Sequence, residues 1–165
     1  MVNMKDEYTP DVALHNASQG ELPDILALLD ECELPKEGLT AHLSTTIVAR
    51  NGSEIVGCSA LELYEEYALL RSVAVKPLYR SRGLGLRLTK AALDLASEYK
   101  VSNVYLLTSS ADMFFSKLGF ESISRADVPE NVRRSVEFTT LCPDTATVMT
   151  KALVGAHEKP KAERS

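Results

Sequence analysis

The sequence predicts a mixed α/β sheet flanked by helices on both faces, and three observations carry that expectation. Residues 45–50, Asn51-Gly52 and the segment from Ser53 read as strand, tight turn and strand, because Asn-Gly supplies the positive φ angles of a two-residue hairpin. From Gly83 onward Leu84, Leu88, Ala91, Ala92, Leu95 and Tyr99 recur at helical spacing between the apolar segments 67–75 and 104–107, which is the pattern of a β-α-β crossover. A shorter helix near 112–117 stops at Gly119, before a strand that begins at Phe120.

The remaining elements follow in order. Residues 1–10 are polar and end in Pro10, and 155–165 lack apolar periodicity, so both are expected as disordered tails around one domain spanning 11–154. A short strand around 12–16 precedes a helix whose apolar face is Leu22, Ile25, Leu26, Leu29 and Cys32, with Ser18 and Glu21 spaced as a capping box. The second hairpin strand runs to Tyr64, Glu65-Glu66 turns the chain, and 67–75 returns as a strand that Pro77 ends. An irregular stretch over 125–146 precedes a last strand at 147–153, and offers a surface for a homodimer.

A length of 165 residues fits one domain that buries its core without disulfides or metals. A net charge of −5 disfavours nucleic acid as the main partner, since phosphate binding needs a concentrated basic surface. No stretch reaches membrane-spanning length, and the acidic start Lys5-Asp6-Glu7 lacks the basic flank and apolar run of a signal peptide. Cys32, Cys58 and Cys142 are odd in number and widely spaced, which fits reduced thiols in the cytoplasm. His15, His42 and His157 lie too far apart for a metal cluster or a Ser/His/Asp triad to be expected.

The segment that carries chemistry is Val73-Ala74-Val75-Lys76-Pro77-Leu78-Tyr79-Arg80-Ser81-Arg82-Gly83-Leu84-Gly85. A strand end, a basic turn and two glycines stand directly before a long helix, whose first N–H groups have no helical acceptor and suit a pyrophosphate. A P-loop would need Gly-Lys-Ser/Thr, and a dinucleotide fingerprint would need glycine at Leu88, so both are excluded. A purely structural turn is the alternative.

Leu70 to Gly85, a strand with a Pro-containing turn and Arg-x-x-Gly-x-Gly, resembles the signature of the GNAT acetyltransferase superfamily. Ala111-Asp112-Met113-Phe114-Phe115-Ser116-Lys117-Leu118-Gly119-Phe120 is similar to that superfamily's Ala-x-x-Phe-Tyr-x-Lys-x-Gly-Phe segment. The resemblance implies a GNAT fold, splayed between the strands at 67–75 and 103–108, with acetyl-CoA as donor and its pantetheine arm in the gap. It further implies that backbone groups of Val73 and Val75 bond the pantetheine. The amides of Arg80, Ser81, Arg82, Gly83, Leu84 and Gly85 would hold the pyrophosphate, and Phe114 and Phe115 would pack near the thioester. Many relatives carry Tyr where Phe115 stands, so the hydroxyl that would protonate the departing thiolate is absent here.

For the acceptor, register across a Glu65-Glu66 turn puts Glu62 opposite Leu69 and diagonal to Arg71. Some members of the superfamily hold a catalytic Glu at the position of Leu69, which makes Glu62 a candidate base, directly or through water. The alternative is an ordinary cross-strand ion pair of Glu62 with Arg71. Neutralising a Lys-like amine at pH 7 costs roughly 4.6 kcal/mol, against about 1–1.4 for an α-amine, so a site without a certain base suits an α-amine. Arg71 could clamp a substrate carboxylate, and Thr108 and Ser109 are further acceptor-binding candidates.

A narrower resemblance, through Leu69-Leu70-Arg71-Ser72, Leu106-Leu107-Thr108, Phe114-Phe115 and Phe138-Thr139-Thr140-Leu141-Cys142-Pro143, is to small N-acetyltransferases of arsenic-resistance operons. The acetyltransferase domain of N-acetylglutamate synthases is the next likeness. Both imply a cytoplasmic N-acetyltransferase acting on a small amino-acid-like amine, with no metal. The rival readings are a CoA-binding regulator without catalysis, and a structural interaction module.

Overall fold

The computed structural model describes residues 12–141 and 145–153, with side chains described through Thr139 and again from Thr145. The tails expected at 1–10 and 155–165, together with Cys142 and His157, lie outside the described residues. Seven strands form one mixed sheet: β1 (Val12–Asn16), β2 (Thr46–Asn51), β3 (Glu54–Tyr64), β4 (Tyr67–Val75), β5 (Asn103–Thr108), β6 (Glu121–Ile123) and β7 (Thr147–Ala152). Their order is β1-β2-β3-β4-β5-β7-β6. The β4–β5 pair is parallel, whereas β1–β2, β2–β3, β5–β7 and β6–β7 are antiparallel. The helices are α1 (Leu22–Glu31), α2 (Leu84–Glu98), α3 (Asp112–Lys117) and α4 (Glu130–Arg133).

The hairpin turn falls one residue later than the Asn-Gly pattern predicts. Asn51 pairs with Glu54 as the last rung of the β2–β3 ladder, so Gly52 and Ser53 make the turn. Only Gly52 has a positive φ, at 65°, which is the demand of a turn with glycine in its first central position. Asn51 thereby stays in the strand, and its side chain is available for another use.

Helix α2 also ends earlier than its periodicity predicts. Lys100 adopts φ 62° and the Val101 N–H returns to the Ala96 carbonyl at 3.0 Å, closing the helix without a glycine. Tyr99 falls past the end and is 51% exposed. A 3₁₀ segment, Leu39–Thr45, buries Leu39 and Leu43 and takes in Thr45, so β2 begins one residue later than the strand pattern at 45–50 predicts.

The chain divides into two compact units, Met1–Leu61 with Ser72–Ala92, and Glu62–Arg71 with Leu93–Ser165. In the first, Ile25, Leu28 and Leu29 of α1 pack with Leu39, Leu43, Val48, Ile55, Cys58 and Ala74. Gly57 is required there by space, because a Cβ would stand 2.8 Å from Leu88 Cδ1 and 3.1 Å from the Ala74 carbonyl. In the second, Leu69, Tyr105, Val128, Val132 and Val148 form the core, with Tyr64, Tyr67, Leu107, Ile123 and Phe138 around them. Each core gathers the apolar face of its strands and helices, as amphipathic patterning requires.

The capping box ahead of α1 is formed. The Ser18 N–H donates to Glu21 Oε1 at 2.9 Å, while Glu21 Oε2 meets His15 Nε2 at 2.9 Å and Arg50 Nε at 3.0 Å. Burial acts to raise the Glu21 pKa, but the bonds from His15 and Ser18 outweigh it and hold it below the ordinary value of 4.5. A carboxyl depressed in the folded state adds stability above its unfolded pKa that is lost as pH falls through the folded one. Acid unfolding followed by circular dichroism is therefore expected to steepen below pH 4.5, and Glu21→Gln to remove that part of the slope.

Candidate functional site: a left-handed loop and a buried acid–arginine cluster

In the first unit, β4 ends at Val75, Pro77–Tyr79 form one 3₁₀ turn, and Arg80–Gly83 lead into α2. Ser81 at φ 67° and Gly83 at φ 84° are both left-handed, with Arg82 between them. Such alternation turns successive N–H groups to one side, the backbone form that cradles an anion. The Arg87 N–H bonds the Gly83 carbonyl at 3.0 Å as α2 opens, so the amides ahead of it lie outside the helical ladder. At Gly83 a Cβ would meet nothing within 4 Å, so glycine is required by its φ and not by crowding.

The side chains of this loop are not equivalent. Arg80 Nε donates to the Val75 carbonyl at 2.8 Å and Nη2 to Cys32 Sγ at 3.5 Å, which folds Arg80 back onto its own strand. The Val75 carbonyl also accepts from Cys32 Sγ at 3.6 Å. Lys76 meets Glu31 at 3.0 Å and Glu54 at 3.5 Å, and the bond to Glu31 raises its pKa. The Arg82 guanidinium stands 5.7 Å from the Tyr79 ring centroid. Val73 and Val75 are both half-buried. Between α1 and the β2–β3 hairpin, a cleft is lined by Asp24, Glu31, Glu54 and Lys76, and no residue of 80–85 lines it.

Just before Val73, β4 is distorted. Ser72 is buried at φ 59°, a left-handed conformation that costs a non-glycine residue roughly 1–2 kcal/mol. Cys58 Sγ donates to the Ser72 carbonyl at 3.2 Å. Strain of this kind persists where the surroundings over-determine it.

In the second unit Glu62 and Arg71 meet as the register predicts, with Arg71 Nη1 donating to Glu62 Oε2 at 2.8 Å. The pair is fully enclosed, at 1% and 0% side-chain exposure. Two further partners were not legible in the sequence. Glu137 Oε2 lies 3.4 Å from Arg71 Nε, and the Tyr64 hydroxyl donates to Glu62 Oε1 at 2.5 Å. Burial, reinforced by the bond to Glu62, pushes the Tyr64 phenol up to about 12, so it stays protonated at neutral pH; Ser135 and Arg71 act weakly the other way. A Glu between Val136 and Phe138 is the one sequence signal that could have flagged Glu137 as buried.

Thr108 closes β5, and its Oγ1 accepts from the Ala111 N–H at 2.9 Å and the Ser110 N–H at 3.4 Å, which shapes the turn into α3. Ser109 is exposed on that turn. Phe115 is buried edge-on between Phe114 at 5.0 Å and Phe120 at 5.7 Å, while Phe114 is 36% exposed. The registered β4–β5 pairs are Tyr67–Asn103, Ala68–Val104 and Leu69–Tyr105, although β5 continues to Thr108. Among the described residues, no group of three or more His, Cys, Asp or Glu is placed to hold a metal ion, and no helix is long and apolar enough to cross a membrane.

Comparison with known proteins agrees with this arrangement. The acetyltransferase (GNAT) domain family matches residues 42–122. An uncharacterized N-acetyltransferase of Chlorobaculum tepidum is 31% identical over 108 residues, covering 65% of this chain and 67% of its own length. The amino-acid acetyltransferase of Neisseria meningitidis is 26% identical over 132 residues, 74% of this chain and 30% of its own. The N-acetylglutamate synthase of Neisseria gonorrhoeae, solved with coenzyme A and N-acetyl-glutamate, superposes with a TM-score of 0.74 at 24% identity, over 86% of this chain and 35% of that one. The chain thus spans about a third of the length of these two Neisseria proteins. With the mixed sheet, the left-handed loop before α2 and these likenesses in agreement, the chain belongs to the GNAT acetyltransferase family.

Proposed function

We propose that this chain, through residues 11–154, transfers the acetyl group of acetyl-CoA to the amine of a small amino-acid-like acceptor. The observation that carries the reading is the loop of Ser81 and Gly83 ahead of α2, in a chain of the GNAT family. Amides of Arg80 to Gly85 bind the donor's pyrophosphate. Backbone N–H groups near Val73 and Val75 orient the pantetheine, and since the Val75 carbonyl is engaged by Arg80 and Cys32, its amide is the better candidate. The partly exposed ring of Phe114, backed by Phe115, shields the thioester end.

The Neisseria synthase, solved with coenzyme A and N-acetyl-glutamate, favours an amino acid α-amine as acceptor. An N-acetylglutamate-synthase-like activity therefore stands ahead of the arsenic-operon type. Glu62 takes the proton the amine must lose, and its 1% exposure favours a route through water over direct contact. Thr108, Ser109 and Arg71 bind the acceptor, with Arg71 in competition between a substrate carboxylate and its own two glutamates. A Cys-like thiol pKa of ~8.5 lets CoA leave as thiolate, which fits the absence of a hydroxyl at Phe115. The reaction takes place in the cytoplasm, in a homodimer, and light scattering of the pure chain tests the second point.

Calorimetric titration with acetyl-CoA, followed by a screen of the twenty amino acids for CoA-thiol release, tests the reading. Saturable binding and turnover with an α-amine are expected. Binding without turnover would favour the regulator, which the hydroxyl-free Phe115 also fits, and no binding would overturn the donor loop.

A further inference from the structure

The carboxylate of Glu62 is held on both of its oxygens. Arg71 Nη1 donates to Oε2 at 2.8 Å, and the Tyr64 hydroxyl donates to Oε1 at 2.5 Å. The two grips differ in kind. Arg71 is shared, since its Nε also faces Glu137 Oε2 at 3.4 Å, whereas Tyr64 follows Glu62 on the same face of β3, where strand alternation brings alternate side chains together. A carboxylate gripped at one oxygen keeps its last torsion loose, and a grip on the other oxygen fixes its plane.

Tyr64 is itself fixed from several sides. Its ring packs against the core of Leu69, Tyr105, Val128, Val132 and Val148, and its carbonyl accepts from Asn131 Nδ2 at 3.3 Å. Its hydroxyl also bonds the Ser135 side chain, whose Oγ accepts from the Glu137 N–H at 3.1 Å, and Ser135 is buried. The links therefore close on themselves, from Glu137 through Ser135, Tyr64, Glu62 and Arg71 back to the Glu137 carboxylate, all within the second unit. Hydrogen bonds joined in a low-dielectric interior reinforce one another. Titratable groups thus reach Glu62 or its guanidinium partner from three elements: Tyr64 on its own strand, Arg71 on β4 and Glu137 on the π-helical turn Glu137–Leu141. Because the phenol stays protonated at neutral pH it donates to Glu62, and a donor favours the ionised form that a base needs.

We infer that Tyr64, braced by Ser135, is a positioning residue that holds the Glu62 carboxylate in place for the proton of the acceptor amine. The inference rests on the reading of Glu62 as base and adds to it what aims that base. Tyr64 acts through Glu62 and not on the donor, so the effect falls on kcat and its pH dependence.

The decisive measurement is the pH profile of turnover, with acetyl-CoA and whichever of the twenty amino acids turns over fastest. Tyr64→Phe, which keeps the ring and loses only the hydroxyl, is expected to lower kcat at pH 7 about 5- to 50-fold and to leave CoA affinity within about twofold. With a donor to the ionised carboxylate gone, protonation of Glu62 becomes easier, so the acidic limb of the profile is expected to move up by about one pH unit. Ser135→Ala, which loosens Tyr64 without removing it, should move the limb the same way by less. In a Glu62→Gln background Tyr64→Phe should cost nothing further, because a residue that acts through a partner loses its effect with it. A slower rate with an unmoved limb, or an equal loss in both backgrounds, would overturn the inference in favour of a structural role for Tyr64. If Glu62→Gln turns over as fast as the native chain, the base reading itself falls and takes the inference with it. If Glu62→Gln is slow but Tyr64→Phe matches the native rate and profile, only the inference falls.

Discussion

Arg71→Ala is expected to lower the free energy of unfolding by about 3–5 kcal/mol, a large part of what a domain of this size has to lose. The reason is what remains after the substitution. Glu62 at 1% and Glu137 at 9% side-chain exposure would keep their carboxylates in the interior without the guanidinium that lies 2.8 and 3.4 Å away. The Tyr64 hydroxyl would still reach Glu62, but a neutral donor does not replace a buried charge. Denaturant unfolding gives the number directly, and a loss below about 1 kcal/mol would show that the cluster contributes as little as a surface pair. Exchanging Glu62, Arg71 and Glu137 together for apolar residues of like size is expected to recover much of the loss, as buried ion clusters elsewhere lead one to expect. Because alanine confounds folding with chemistry, the acceptor role of Arg71 needs Arg71→Lys, which keeps a charge and loses the bidentate fork. A rise of about tenfold in acceptor KM with unchanged CoA affinity supports the carboxylate clamp, and unchanged acceptor kinetics remove it.

The cluster also marks where the sequence stops being informative. Glu62 and Arg71 lie on adjacent strands joined by a two-residue turn, so simple counting of register brings them together, and the structure has them in contact. Glu137 comes from a stretch without periodicity, in a turn of π-helix that no local pattern announces, and reaches Arg71 only through tertiary folding. The same contrast holds for the helices. The apolar spacing of Leu84, Leu88 and Ala92 locates α2, all three being buried, but its end depends on Lys100 taking a left-handed φ that the sequence does not signal. The Asn-Gly pair signals a hairpin correctly and misplaces its turn by one residue, because only one positive φ is used where the pattern offers two. The glycines of the loop ahead of α2 are legible because their chemistry is local: a left-handed residue, a helix start and nearby basic side chains all fall within Lys76 to Arg87. What those basic side chains do is not local. Lys76 and Arg80 are engaged by Glu31, Glu54, Cys32 and Val75, and a count of positive charges in the segment overstates what is left for a ligand.

Gly83→Glu is expected to weaken CoA binding by at least about 100-fold, while costing the fold only about 1–2 kcal/mol for a non-glycine residue at φ 84°. The small structural cost follows from the open space at this position, where a Cβ meets no atom within 4 Å. The large binding cost follows from the proposal that this same open space is where the phosphates lie, so the new side chain both occupies it and adds a like charge. At an effective dielectric of 20, two unit charges about 4 Å apart repel by roughly 4 kcal/mol, enough by itself for the loss expected. Gly83→Ala separates the two contributions: it carries the same backbone strain without the charge, and should give a smaller loss of affinity at a similar unfolding midpoint. Gly20→Glu supplies the matched control, since Gly20 is equally open and has no positive φ, and it should leave CoA affinity unchanged. Calorimetric titration of the three variants alongside thermal unfolding resolves the matter. If Gly83→Glu binds CoA as tightly as Gly20→Glu does, the loop ahead of α2 is only a turn, and the phosphates of CoA bind elsewhere.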